Sequence, residues 1–129
     1  MGEIYDKNQN RNIVDNMSDS ILENVKGMIG LIEDTSFDRD IVLHINSVLM
    51  ILNQMGVGPQ DNFIIKGSDE TWSDFIPETQ DIEAVKTYLY LKVKMVFDPP
   101  ISSIVKDAMS QAISELEWRL NFNAEKEKR

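Results

Sequence analysis

Apolar residues recur at helical spacing in several stretches of the chain. Ile21, Val25, Met28, Ile29 and Ile32 form the first stripe. Ser20-x-x-Glu23 precedes it as a capping box, in which hydroxyl and carboxylate each satisfy one orphan amide. Gly27 and Gly30 weaken this helix, and Asp34-Thr35-Ser36 reads as its break. The second stripe, Ile41, Ile45, Val48, Leu49, Leu52 and Met55, predicts a helix from about Asp38 to Met55. Val42, Leu43, Met50 and Ile51 widen its apolar surface beyond one face. Such a helix is either central to a core or also packs on a partner. Gly56 stands where a C′ cap is expected, and Pro59 prevents continuation.

Residues 56–80 are the least regular part. Phe63-Ile64-Ile65 reads as a short strand, and Thr71-x-x-Asp74 is a second capping box opening a turn that includes Trp72, Phe75 and Ile76. Pro77 ends that turn. Over 81–97 two periods compete. Ile82, Val85, Leu89, Val93 and Val96 fit a helix, whereas Leu89, Leu91, Val93, Met95 and Phe97 alternate with polar positions as in a strand. The long run without Gly or Pro favours the helix. Asp98-Pro99-Pro100 breaks the chain, with Asp98 as an N-cap and both prolines in the first turn of the last helix. Ile101, Ile104, Val105, Ala108, Ala112, Leu116 and Leu120 form its stripe, and Glu115 and Arg119 make an i,i+4 pair in the better orientation.

The expected architecture is mainly α, a small bundle of about four antiparallel amphipathic helices. An irregular loop at 56–80, with room for a short β-hairpin, interrupts it. Residues 1–17 read as a flexible N-terminal arm, 18–122 as a single helical domain, and 123–129 as a charged C-terminal tail.

Composition removes whole classes of function. The 129 residues hold no cysteine, which excludes a thiol nucleophile, a disulfide scaffold, a Cys-ligated zinc and an Fe–S cluster. A single histidine, His44, excludes a multi-His metal centre. The net charge of −9 disfavours tight phosphate binding. It is unevenly spread: net −5 over residues 1–56, −4 over 57–80 and 0 over 81–129. Val48–Leu52 is the longest purely apolar run, far short of the ~20 residues of a membrane span. No signal core precedes residue 18, and Asp6 stands where myristoylation needs Ser or Thr. Asn16-Met17-Ser18 matches a glycosylation sequon by chance. The expectation is a soluble protein made in a cytoplasm.

Candidate chemistry is sparse. His44 lies one helical turn from Asp40, the beginning of a general-base pair, but no nucleophile or third partner accompanies it. The acidic pairs Glu33/Asp34, Asp38/Asp40 and Asp69/Glu70 match no EF-hand spacing and read as solvated charge. Gly56-Val57-Gly58-Pro59 lacks the Lys-Ser/Thr of a phosphate loop. Tyr88, Tyr90, Lys92 and Lys94 interleave aromatic and basic residues, which on so acidic a chain reads as amphipathic packing. Trp72, Phe75, Trp118 and Phe122 read equally as core lids or interface anchors. No catalytic, cofactor or metal residues are expected, and no enzyme.

The segments in order resemble a known family. They are Phe37-Asp38 with His44-Ile45-Asn46-Ser47, Gln54-Met55-Gly56-Val57-Gly58, Thr71-Trp72-Ser73-Asp74-Phe75, Val85-Lys86-Thr87-Tyr88, Phe97-Asp98-Pro99-Pro100 and Glu115-Leu116-Glu117-Trp118-Arg119-Leu120-Asn121. Over roughly residues 18–122 the chain resembles head–tail connector, or adaptor, proteins of long-tailed phages and prophages of Gram-positive bacteria. The resemblance implies a helical structural subunit of the virion neck, present in the host cytoplasm before assembly. Copies would form a ring below the portal protein on assembly, and a monomer when free is compatible with this. The ring would continue the DNA channel and dock the next neck or tail protein, letting DNA through without specific binding. It implies no enzymatic activity, cofactor or membrane. Trp72, Phe75, Asp98, Pro99, Pro100, Trp118 and Arg119 are the expected scaffold or interface residues. Two other readings compete: a small acidic phage-encoded regulatory module that binds a host or phage protein, and a metal-dependent hydrolase using Asp40 or His44.

Overall fold

Ser20 opens the first helix. Its side-chain oxygen accepts the Glu23 N–H at 3.3 Å, so half of the expected capping box forms. The other half, a Ser20 N–H to Glu23 bond, does not: the Glu23 carboxylate instead accepts a hydrogen bond from the Ser68 hydroxyl at 2.8 Å. The computed structural model describes residues 19–76 and 81–127. Among these there are five helices: α1 (Ile21–Met28), α2 (Asp38–Gln54), the single turn α3 (Trp72–Phe75), α4 (Ile82–Phe97) and α5 (Ser103–Glu127). The mainly helical class expected from periodicity is what forms. The expected arm at 1–17 and the stop at Pro77 lie outside the described residues.

α1 and α2 end the same way. Gly30 and Gly56 take left-handed backbone (φ 79° and 91°). After α1 the Gly30 N–H returns to the Gly27 carbonyl and the Leu31 N–H to Lys26; after α2 the Gly56 N–H returns to Asn53 and the Val57 N–H to Leu52. Each is a Schellman closure, which satisfies the last carbonyls of a helix. Gly30, read as weakening the first helix, is therefore its terminator, and Ile32 is left exposed beyond it. The break at Asp34 is an Asx turn in which the carboxylate accepts the Ser36 N–H at 2.8 Å.

The core is built by Ile21, Leu22 and Val25 of α1, Ile41, Ile45, Val48, Leu49 and Leu52 of α2, and Val85, Tyr88, Leu89 and Val93 of α4. Trp72, Phe75 and Ile76 close it from the loop, and Leu120 and Ala124 from the far end of α5. The Lys26 side chain, 2% exposed, is neutralised by Asp38 at 2.7 Å, which ties α1 to the first turn of α2.

The expected hairpin at 56–80 does not form: the described part of that segment holds no strand, only an isolated bridge between Ser20 and Thr71. The extended Phe63–Ile65 finds its partner in a side chain. The Asn46 amide donates to the Ile65 carbonyl at 3.0 Å and accepts its N–H at 2.8 Å, as a neighbouring strand would. Asn53 donates to the Pro59 carbonyl in the same manner. The turn before α3 is held by Glu70, whose carboxylate accepts the Lys66 and Gly67 N–H groups. The Thr71–Asp74 capping box forms in full.

Residues 82–97 are helical, so the 3.6-residue period prevails over the alternation. The corner that follows differs from expectation. Asp98 closes α4 rather than capping α5: its N–H bonds to the Lys94 carbonyl at 2.8 Å and its carboxylate meets the Lys94 ammonium at 3.0 Å. Asp98 and Pro99 both precede a proline, and that position is sterically barred from the α region. α5 therefore starts only after Pro100. Ser102 is its cap, its carbonyl accepting the Lys106 N–H and its hydroxyl the Val105 N–H. α5 runs back antiparallel to α4, as contacts of residue 88 with 117 and of 81 with 123 require. Residues 123–127, read as tail, continue the helix.

Candidate assembly surface

The site residues divide between interior and surface. Trp72 and Phe75 are each 2% exposed, so both belong to the core. Trp72 is held by the α3 turn and lies under the Lys86 ammonium, 5.7 Å from its ring. Phe75 packs on Phe63 with ring centroids 5.3 Å apart, and against the backbone at Gly58. Asp98 and Pro99 lie exposed on the corner between α4 and α5. Trp118 is 67% exposed, and its ring stacks on Phe122 at 5.3 Å with an interplanar angle of 10°. Arg119 is exposed. The expected Glu115–Arg119 pair is not among the ion pairs of the described residues, which are Lys26–Asp38, Lys86–Glu83 and Lys94–Asp98. Sequence position thus brings Trp72 and Phe75 together and leaves Trp118 and Arg119 on a separate, outward surface.

The larger feature is α5. Of its expected stripe only Leu120 is buried, with Leu116 half-covered; Ala124, in the stretch expected to be a tail, is buried too, and Ile113, outside the stripe, is half-covered. Residues 101–108 are all exposed. Ile101 is fully so, Ile104 is 80% exposed, and Val105 is 48%. Two hydrogen bonds fix the helix on the body. The buried Tyr88 phenol donates to Glu117 Oε2 at 3.0 Å, and the Asn123 amide donates to Asp81. Burial first, and then the hydrogen bond to Glu117, pushes the Tyr88 phenol well above its ordinary range. Neither bond is readable from spacing, because each joins residues distant in sequence.

A second apolar surface lies beside α2. Leu43, Met50 and Ile64 are exposed, and with Asn46, Asn53 and Phe63 they line an open groove of about 310 Å³. The widened stripe of α2 signalled Leu43 and Met50; nothing signalled that Asn46 and Asn53 pin the facing loop.

Catalytic geometry is not assembled around the candidates. His44 meets Phe97 edge-on, with centroids 5.2 Å apart, and no hydrogen bond joins it to Asp40. Among the described residues no group of three or more His, Asp or Glu side chains could hold a metal ion. Asp34 is held below the usual carboxylate range by the Ser36 backbone N–H, a turn contact. No helix among the described residues is long and apolar enough to cross a membrane.

A family model described as "Phage connector protein" matches residues 21–127. The chain belongs to that family. Neither curated proteins nor solved structures gave a match. A connector is a structural part of the virion, compatible with a chain that is not an enzyme. Membership implies contact with other head and tail proteins of the phage, and a place at the virion neck. Among the described residues, the start of α5 and the groove beside α2 expose apolar side chains, the kind of surface that marks interaction sites.

Proposed function

We propose that this connector assembles as a ring beneath the portal protein, continues the channel through which DNA passes, and docks the next neck or tail protein. The observation that carries the reading is the start of α5, where among the described residues Ile101 and Ile104 stand exposed and Val105 half-exposed. Three aliphatic side chains in a row gain stability only when another surface removes them from water. The exposed Trp118–Phe122 stack supports a second contact, of the aromatic kind that anchors protein interfaces. The charge of −9 supports a passive channel, because an acidic wall repels phosphate and lets DNA slide. The free protein is monomeric in host cytoplasm, and the ring forms on its template.

Negative-stain imaging of the protein, alone and mixed with the portal assembly of the same phage, tests this reading. An added ring-shaped layer on the portal is the expected result. A folded protein that neither binds the portal nor forms a layer on it overturns the proposal.

A further inference from the structure

Resting on the ring reading, the two uncovered apolar surfaces identify how neighbouring subunits join. We infer that the start of α5 of one copy seats in the groove beside α2 of the next copy. Ile104, Val105 and Ala108 lie on one face of α5, with Ile101 just before its first turn. The groove has the buried Leu49 at its base and Leu43, Met50, Phe63 and Ile64 at its sides. Asn46 and Asn53 also line it, but their amides already serve the Ile65 and Pro59 carbonyls, so an aliphatic occupant strips no partner from them.

Charge admits a second copy at these faces, and shape pairs them, one a protruding helix and the other a groove. Two chains of net −9 repel wherever their acidic surfaces meet. The groove is lined by no charged side chain. Over residues 99–114 the charged residues are Lys106 and Asp107, which sum to zero. These faces can approach in an acidic homopolymer without a Coulomb penalty. A basic partner would gain nothing from either.

Protruding helix and groove share no residue, so the contact is heterologous. Each copy uses its helix on one neighbour and its groove on the other, and such a contact closes as a ring where the rotation between copies completes a circle, which the template sets. A contact of three aliphatic residues falls well short of the roughly 1,000 Å² that a lasting pair of proteins needs. Single pairs therefore separate in dilute solution, and the closed ring on its template holds.

The absence of cysteine gives this inference a clean test. The double variant Ile104→Cys/Met50→Cys, oxidised at high protein concentration, is expected to give a ladder of dimers, trimers and larger species on a non-reducing gel. A mixture of the two single variants is expected to stop at the dimer. A disulfide forms only when the two Cα atoms come within about 7 Å, so its yield reports proximity. The pair Ile104→Cys/Glu33→Cys, with Glu33 exposed on the loop after α1, sets the background. A double variant no better than that background overturns the inference. So does Ile104→Cys alone forming dimers as readily as the mixture, because the contact is then between like helices. Imaging of the wild-type protein on the portal, run in parallel, separates the two levels. A ring without the ladder overturns this pairing alone; neither ring nor ladder overturns the ring reading with it.

Discussion

The ring of Phe75 fills the space that a side chain on residue 58 would need. A Cβ on Gly58 would lie 2.5 Å from Cε1 and 2.7 Å from Cζ of that ring. The residue also sits at φ +91°, where side chains are strained. Gly58→Ala is therefore expected to destabilise the protein by about 2–4 kcal/mol, combining backbone strain with an overpacked core. Gly30→Ala is the comparison: φ is +79°, but nothing lies within 4 Å of the new methyl, so about 1–2 kcal/mol of strain is expected alone. Urea denaturation of both variants measures the difference. Equal losses would show that Phe75 yields to the methyl at no cost.

Asn46 tests whether a side chain can stand in for a strand. Asn46→Ala leaves the Ile65 N–H and carbonyl unpaired next to the core, an expected loss of about 2–3 kcal/mol. Asn46→Asp retains the acceptor for the N–H but sets a carboxylate against the Ile65 carbonyl. It should recover little of the loss near pH 7 and more of it under acidic conditions, where a protonated carboxyl donates again. The readout is the urea midpoint at both pH values. A fully stable Asn46→Ala protein would mean the loop is held by its apolar contacts alone.

The two tryptophans should behave oppositely in thermal melts. Trp72→Ala removes a buried ring and is expected to cost about 3–5 kcal/mol, a fall in Tm on the order of 10 °C or more. Trp118→Ala takes away a mostly solvated ring and should stay within about 0.5 kcal/mol of the parent. If Trp118→Ala melts as early as Trp72→Ala, its stack on Phe122 is structural.

Tyr88 ties stability to alkaline pH. The folded phenol keeps its proton well above the usual range, while the unfolded phenol ionises near pH 10. Above that pH the unfolded chain holds fewer protons than the folded one, so stability falls as pH rises. The contribution is complete below about pH 10 and is lost through the alkaline range. Tyr88→Phe should cost about 1 kcal/mol at pH 7 and show a flatter decline between roughly pH 10 and 12. Parallel declines for both proteins would remove Tyr88 as the source.

Much of this fold was legible because its signals are local. The stripe of α2 repeats from one turn to the next, the glycine after it and the Thr71–Asp74 box each lie within about one turn, and each formed. The misreadings have a common cause in signals that are not local. The spacing makes Glu23 half of a cap, yet Ser68, 45 residues away, holds it. Asn46 carries no pattern that names Ile65 as its partner. At the corner, the restriction on residues before proline acts on Pro99 as well as on Asp98, which places the cap at Ser102. The stripe of α5 raised a different difficulty. Periodicity shows that a face is apolar, not what covers it, so Leu120 and Ile104 looked alike in sequence although one is buried and the other bare. Trp118 and Trp72 could not be told apart for the same reason.

The way α5 is held has a mechanical consequence. Ile113 is its first residue packed on the core, and Tyr88 and Asp81 grip it farther on. From Ile113 back to Ser103 the rod overhangs by about 15 Å, at 1.5 Å per residue. Tilting such a lever by about 10° swings its tip through roughly 3 Å without repacking anything beneath it. In the proposed ring, a subunit built this way takes up slack between unevenly spaced neighbours by pivoting one rod, while the body that carries it stays rigid.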